Sequence, residues 1–410
     1  MINKLTNKYK FQTNNLYFYF CIFFITLIIF RIILPMGDEP DFLYRAVEYI
    51  FHSKTSESVY NVPVNAENFS TAYTCNKHYL RGELFEPLMS IAPYFCNNTI
   101  EEFLERISFG LFINIIYFGS IFIVFKNRKL LKYFSLEKEF NHLNMHIFFC
   151  SLLYPTLIYY LGTKSNEIFL FYATLLFFFT WRNFILSYIL SFFALIIDIG
   201  NGVVFFSFIS YFYIFRQLSL FFGVKKIIIT NIIIFIIIII FHSVLLELFS
   251  NILGSTGIDY FENISTHVLG KTNFIYPNFT KLFITYISFI FLSPGYVKSI
   301  ILIVLMTLII FYTFFVLVGF LKNKNYDFFS KDKDFFNDYH INASACITFV
   351  VLVVLISPVH AYIRYYLFIY PFIFSLFFLV FNANKIFLIS LYAILLLSIE
   401  TILFRLNFYL

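Results

Sequence analysis

The chain has 410 residues and a formal net charge of +6; 60% of its residues are hydrophobic and only 13% are charged. Soluble domains carry about 25% charged residues, so this composition excludes an ordinary soluble globular protein. Apolar runs of about 18 residues recur along the chain, and each is long enough to cross a bilayer. We therefore predict an all-α polytopic membrane protein that forms one integral membrane domain over residues 1–410. The small positive charge follows membrane topology, so no nucleic-acid partner is expected.

Apolar runs of roughly this length predict about eleven transmembrane helices, the first being an uncleaved anchor rather than a signal peptide. They cover approximately residues 16–34, 107–125, 146–161, 168–181, 184–197, 203–215, 227–246, 299–320, 342–357, 363–381 and 386–404. Two larger loops, residues 35–106 and 247–298, are predicted on the outer face. Residues 282–293 are apolar but short, which predicts an interfacial or re-entrant segment.

The distribution of charge predicts a cytoplasmic N-terminus, because Lys4, Lys8 and Lys10 precede the first span. This layout places 17 of the 29 Lys and Arg residues in cytoplasmic segments and 17 of the 23 acidic residues in outer ones. If residues 282–293 crossed the membrane fully, the lysines between 322 and 333 would move outside. That version contradicts the preference of basic residues for the cytoplasmic face, so we reject it.

An acidic segment follows the first span directly, with the sequence Pro35-Met36-Gly37-Asp38-Glu39-Pro40-Asp41-Phe42-Leu43-Tyr44-Arg45. Apolar residues then recur with a helical period, at Leu43, Ala46, Val47 and Ile50. The pattern predicts a short amphipathic helix on the membrane surface. The acidic residues suit the cap and the dipole of such a helix as well as they suit a reaction, so both roles stay open.

Three more polar clusters are predicted on the outer face. They are Lys164 with Glu167, Asp198 with Asn201, and His360 with Arg364 and Tyr365. Carboxylates can act as general bases toward a hydroxyl, while Arg, Lys and His can hold a phosphate on which charge develops. Together they suit a reaction between a lipid-linked phosphate ester and a polar acceptor. The structural alternatives are a turn at Lys164, a helix cap at Asp198 and an Arg364 side chain that extends to the lipid headgroups.

His360 and Arg364 would share a helix face if the tenth span begins early.

Cys75 and Cys96 both fall in the first outer loop. A disulfide between them would close a loop of about 20 residues and contribute roughly 3 kcal/mol; whether it forms stays open. No cysteine has metal-site spacing, and no glycine-rich phosphate loop is present, which argues against ATP-driven transport.

Two segments resemble motifs of GT-C-type membrane glycosyltransferases. The run from Gly37 to Ala46 resembles the "DEP-x-H-F-x-R-A" signature that follows the first span, with Asp41 standing where that family has histidine. The run from Ile363 to Pro371 resembles the "RY-x-x-P" element that opens a late span, lengthened by two residues before its proline. Length and span number also resemble the O-antigen polymerases.

The resemblance implies a GT-C-like fold and a polyprenyl-phosphate or polyprenyl-pyrophosphate sugar donor bound at the periplasmic face of the inner membrane. Asp38, Glu39 and Asp41 would carry the catalysis. The donor phosphate would be held by cationic and phenolic groups at Arg45, Lys164, His360, Arg364 and Tyr365. Glu167 and Asp198 would belong to the surrounding site. No metal ligand is assigned and no cofactor is implied with certainty, a divalent cation being left open.

The leading hypothesis is therefore a glycosyltransferase or polymerase of surface polysaccharide, and within that class an O-antigen polymerase. Its partners would be the bilayer, a lipid-linked sugar or oligosaccharide and other polysaccharide-assembly proteins. The alternative is a translocase for lipid-linked oligosaccharides or another polytopic carrier, which would need polar residues inside the helix bundle. A non-catalytic membrane subunit is the third hypothesis.

Overall fold

The computed structural model describes residues 13–33, 100–162, 167–241, 335–356 and 363–380, with a few single positions between 244 and 285. The regular elements in these ranges are all helical. They are α1 Thr13–Ile33, α2 Ile100–Lys126, α3 Arg128–Tyr133, α4 His142–Leu152, α5 Pro155–Gly162, α6 Glu167–Leu175, α7 Phe177–Thr180, α8 Phe184–Ile197, α9 Ile199–Phe222, α10 Val224–Ile240, α11 Phe335–Ile356, the 3₁₀ helix Ile363–Ile369 and α12 Tyr370–Val380.

Two of the described helices, over Gly200–Phe222 and Asp338–Leu355, are long and apolar enough to cross a bilayer. A third crossing is present if the bent pair α4 and α5 counts as one span. Shorter apolar stretches lie in α1, α2, α6 with α7, α8 and α10. The described part is thus a set of apolar helices, as the composition predicts. The count of about eleven spans, the GT-C class and the second outer loop stay predictions.

Large apolar side chains are exposed along whole helices. In α10, Ile232, Ile236 and Ile240 are 49%, 52% and 67% exposed. A soluble monomer rarely leaves a contiguous apolar surface of this kind in water, whereas lipid tails solvate it at no cost. This surface supports a membrane location for the helices.

The described residues divide into two compact units, the first ending at Phe206 and the second beginning at Ser207, inside α9. The prediction of a single integral membrane domain is not decided by this division. In the first unit, aromatic residues fill the core between α1, α2 and α4. The ring of Phe118 lies 5.0 Å from Phe20, 5.2 Å from Phe23 and 5.3 Å from Phe149 between centroids.

Four Asx side chains mark where helices begin. Asn127, Asn141 and Asn183 accept hydrogen bonds from backbone N–H groups in the first turns of α3, α4 and α8. Asp198 does the same for α9, because its Oδ1 accepts from Gly200 N at 2.8 Å. These side chains satisfy N–H groups that have no partner within the helix, and so fix the helix starts.

The third predicted span, residues 146–161, is not one continuous helix. The chain bends by 77° between His142–Leu152 and Thr156–Gly162. Pro155 has no backbone N–H that could donate to Ser151 O, as a continuous α-helix would require. That carbonyl accepts from Tyr154 N instead, at 3.0 Å. The proline therefore ends one helix and begins the next.

Gly202 allows α8 and α9 to approach closely. A Cβ atom at this position would lie 2.5 Å from Leu195 Cα and 2.8 Å from Ala194 C, both backbone atoms that cannot move independently. Small residues at helix contacts of membrane proteins allow such approaches.

We expect Gly202→Ala to lower stability by about 1–3 kcal/mol, the usual cost of overpacking. The measurement is the midpoint of thermal unfolding of the purified protein in detergent. Gly119→Ala is the matched control, since a Cβ atom at Gly119 would meet nothing within 4 Å. It should leave the midpoint unchanged or raise it, because alanine is the better helix former. Equal midpoints for both variants would contradict the close approach.

Candidate functional site

Three of the residues assigned to the site by sequence have described side chains: Asp198, Arg364 and Tyr365. Glu167 begins α6, but its side chain is outside the described residues. The remaining predicted site residues lie outside the described ranges; they are Asp38, Glu39, Asp41, Arg45, Lys164 and His360. Their roles therefore stay predictions, as does the pairing of Cys75 with Cys96.

Arg364 and Tyr365 lie in the first turn of the 3₁₀ helix. Arg364 Nη2 donates to Tyr365 Oη at 3.2 Å, and the guanidinium carbon lies 5.1 Å from the centre of the Tyr365 ring. Both side chains are half-buried, while Ile363 and Tyr366 on either side of them are buried. The segment thus buries Ile363 and Tyr366 and holds a half-buried cationic residue, Arg364, at the start of an apolar helix.

A guanidinium in this setting is suited to bind a phosphate. It is planar and always charged, and it can donate two parallel hydrogen bonds to phosphate oxygens. Tyr365 holds one edge of the group and its ring covers one face, which restricts the orientations available to Arg364.

Ring contacts show which end of the second unit carries Arg364. Phe208 and Phe212 of α9 lie 4.5 Å and 5.6 Å from Phe368 and Phe372, so α9 and the segment after Arg364 run in the same direction. By contrast, α11 runs antiparallel to α9, because Arg216 late in α9 contacts the beginning of α11, while Tyr211 contacts a later residue of α11. Arg364 therefore lies at the end of α11 opposite to the end where α11 begins.

Arg216 joins α9 to the beginning of α11. Its Nη2 lies 2.9 Å from Asp338 Oδ1, and its Nη1 donates to Asn342 Oδ1. Further along α11 and earlier in α9, Tyr211 Oη donates to Thr348 Oγ1 at 2.8 Å, so the two helices run antiparallel. The ion pair thus lies in the last two turns of α9 and at the beginning of α11, on the side where the sequence predicts a cytoplasmic loop with several lysines. Nothing in the local sequence indicates these two partners of Arg216, which lie more than 120 residues further along the chain.

Asp198 has the structural role that the sequence left open as an alternative. Besides capping α9, its Oδ2 accepts from Asn201 Nδ2 at 2.7 Å. Both carboxylate oxygens therefore have local donors, as is usual for an Asx cap. A part for Asp198 in a reaction stays a prediction.

In the first unit, polar contacts gather the predicted cytoplasmic loops at one end. Arg182 Nε lies 2.7 Å from Glu139 Oε1, and Asn183 Nδ2 donates to the Phe134 carbonyl at 3.1 Å. Near the beginning of α1, Asn15 Nδ2 lies 3.5 Å from His146 Nε2 in the first turns of α4. The start of α1 and the loop before α4 hence share one end. Because α1 runs away from this end, Ile33, which precedes the acidic segment, lies toward the other.

Several polar groups that the sequence did not indicate are buried between the apolar helices of the first unit. Asn114 donates to the Leu161 carbonyl at 3.1 Å and accepts from Tyr172 Oη, while Tyr117 Oη donates to the Tyr172 carbonyl. Polar groups in an apolar setting are costly unless they are paired. A lone asparagine inside an apolar run is the signal that could have pointed to such a contact.

Among the described residues, no group of three or more His, Cys, Asp or Glu side chains could hold a metal ion. The described part therefore contains one half-buried cationic residue of the predicted donor site, Arg364, and several internally paired polar clusters. Comparison with protein-family models, with curated proteins and with solved structures finds no match to the chain.

Proposed function

We propose that the chain is a GT-C-type glycosyltransferase of surface-polysaccharide assembly, specifically an O-antigen polymerase. It would be a multi-pass protein of the inner membrane with a cytoplasmic N-terminus. One observation carries the proposal: an acidic segment from Gly37 to Ala46 follows the first apolar helix, and Arg364 with Tyr365 opens a late one. The proposal thus rests on two short motifs placed at helix ends.

The arrangement of each unit supports this proposal. In the first unit, α1 begins at the end where the predicted cytoplasmic loops contact one another, and runs away from it. The acidic segment follows α1 in the sequence. In the second unit, Arg364 lies at the end opposite to Arg216. If the basic ends are cytoplasmic, as the positive-inside rule predicts, both motifs belong to the periplasmic face. That is the face on which lipid-linked repeat units would be joined.

The proposed reaction is a glycosyl transfer from a polyprenyl-linked donor. Asp38 or Asp41, with Glu39 beside them, accepts the proton of an acceptor hydroxyl as its oxygen attacks the anomeric carbon. The bond between that carbon and the phosphate oxygen breaks, and the lipid (pyro)phosphate leaves with the electron pair. Arg45 and Arg364 stabilise the charge that develops on it, with Lys164 and His360 as further cations. No step is assigned to a metal ion.

A translocase for lipid-linked oligosaccharide is the second candidate, and the bend between α4 and α5 favours it. Carriers commonly bind their substrate where a membrane helix is broken and polar groups face the bundle interior. Here the Leu161 carbonyl of α5 accepts from Asn114. These two groups are hydrogen-bonded to each other, whereas a carrier needs polar groups that line a cavity for its substrate. This pairing counts against the carrier.

Deletion of the gene followed by gel analysis of the surface polysaccharide tests the proposal. Loss of the ladder with single repeat units still attached would support a polymerase. Loss of one branch sugar with the ladder kept would restrict the activity to a simple transferase. Accumulation of lipid-linked units on the cytoplasmic side would favour the translocase and would contradict the proposed reaction.

A further inference from the structure

A basic segment, residues 126–138, connects α2 to the loop before α4. Its five cationic side chains are all exposed; they are Lys126, Arg128, Lys129, Lys132 and Lys138. Glu137 is its one acidic residue. The segment therefore presents a strongly positive surface at the end of an apolar helix.

The backbone holds this basic segment in a fixed shape. Helix α3 ends with Ser135 in the left-handed region, at φ 56°. Leu136 N donates to Leu131 O at 2.8 Å, and Ser135 N donates to Lys132 O at 3.1 Å. This hydrogen-bond pattern is a Schellman cap. Leu131 and Leu136 are both buried, so the two leucines anchor the segment while its cations point outward.

Apolar side chains lie exposed among the cations. Tyr133 is 83% exposed, and Leu130 and Phe134 are also exposed. Ile123, one turn before Lys126 on α2, is 67% exposed. An apolar surface suited to lipid tails thus continues directly into the basic segment, where tyrosine and lysine are typical of the membrane interface.

The two cations nearest α2 lie along that helix. Lys126 Nζ is 5.3 Å from the centre of the Phe122 ring, and the Arg128 guanidinium carbon is 5.3 Å from the Phe125 ring. Their stems therefore cover apolar surface, and their charged ends lie beside the last turn of α2. The end of a membrane-spanning helix is the level at which Lys and Arg side chains reach the lipid headgroups.

We propose that the basic segment binds the phosphate headgroups of anionic phospholipids. Charge complementarity favours anionic over zwitterionic lipid, because each cation near a membrane surface contributes about 1 kcal/mol of attraction. An acidic protein partner would match the charges, but it would leave the continuity with the apolar surface of α2 unexplained. This lipid site shares no residue with the proposed sugar-transfer site and does not depend on that reaction.

Native mass spectrometry of the purified full chain tests this lipid site. The protein in mild detergent is offered equal amounts of phosphatidylglycerol and phosphatidylcholine with identical acyl chains, and the bound lipids are counted. We expect the wild type to bind phosphatidylglycerol preferentially. The double variant Lys129→Gln with Lys132→Gln should lower that preference by about 30-fold, since each of the two cations contributes about 1 kcal/mol, which corresponds to about fivefold.

Two controls keep this test specific. The double variant Lys129→Arg with Lys132→Arg retains the charge and should keep the preference. Lys226→Gln removes an exposed cation of α10, outside the basic segment, and should keep it as well. The proposal is overturned if the wild type shows no preference, if the glutamine variant binds like the wild type, or if the arginine variant loses as much as the glutamine variant. A wild type without a preference for phosphatidylglycerol would favour an acidic protein as the partner of the basic segment.

Discussion

Replacing Asp38 by asparagine is expected to abolish the long-chain polysaccharide. Asparagine keeps the size and polarity of the side chain but cannot accept the proton of the acceptor hydroxyl. Loss of a general base commonly lowers a rate by about 10²–10⁴-fold. A cell that carries Asp38→Asn at normal protein level should therefore show single repeat units and no ladder on a polysaccharide gel.

Asp41→Asn is the matched control for this first variant, because it removes the same charge three residues further on. Asp41 stands where the related signature has histidine, so we expect a smaller loss than at Asp38. Expression of each variant is measured by immunoblot to separate activity from abundance. An unchanged ladder in Asp38→Asn would remove this residue from the mechanism. Equal losses in both variants would contradict the expectation that Asp38, rather than Asp41, is the base.

Replacing Arg364 by alanine is the second large effect that we expect. The guanidinium would stabilise the leaving phosphate, and a hydrogen bond to a charged group contributes about 1.5–3 kcal/mol. This free energy corresponds to a loss of about 10- to 150-fold in turnover. The measurement is the rate of sugar transfer by the purified protein from a polyprenyl-linked donor.

Two neighbouring variants separate the charge of Arg364 from its position. Arg364→Lys keeps the charge but loses the two parallel hydrogen bonds, and should retain part of the rate. Tyr365→Phe removes the hydroxyl 3.2 Å from Arg364 Nη2 but keeps the ring beside the guanidinium. We expect it to lower the rate by only a few-fold. A full rate in Arg364→Ala would contradict phosphate binding by this residue.

The sequence predicts the helices best where an apolar run is bounded by capping residues. The fifth predicted span, 184–197, matches α8 at both ends, because Asn183 and Asp198 are Asx residues in extended conformation that end the apolar run. The tenth predicted span likewise begins at Ile363, although its first turns form a 3₁₀ rather than an α-helix. For α8, local chemistry at the two Asx residues is enough to predict the boundaries.

Breaks inside an apolar run are harder to predict. Pro155 interrupts the predicted third span, yet prolines are tolerated within membrane helices when neighbouring groups satisfy the backbone. Similarly, a turn at Leu176 separates α6 from α7 within one predicted span. Hydropathy averages over such positions and therefore predicts a single helix.

Long-range polar partners could not be predicted from the sequence. Glu139 and Arg182 belong to different loops, and nothing in their local patterns indicates that the carboxylate would be buried against the guanidinium. The same holds for Arg216 with Asp338. The proposed site on the outer face is the opposite case: its motifs are visible in the sequence, while most of its residues lie outside the described ranges.

Labelling of single cysteines tests the central claim, that the acidic segment and Arg364 lie on the periplasmic face. In a background with the five native cysteines replaced by serine, Asp38→Cys and Arg364→Cys are each treated with a membrane-impermeant maleimide in intact spheroplasts. Lys129→Cys, in the basic segment, serves as the cytoplasmic control. We expect positions 38 and 364 to react in intact spheroplasts and position 129 to react only after permeabilisation. Labelling of position 38 or 364 only after permeabilisation would contradict the claim.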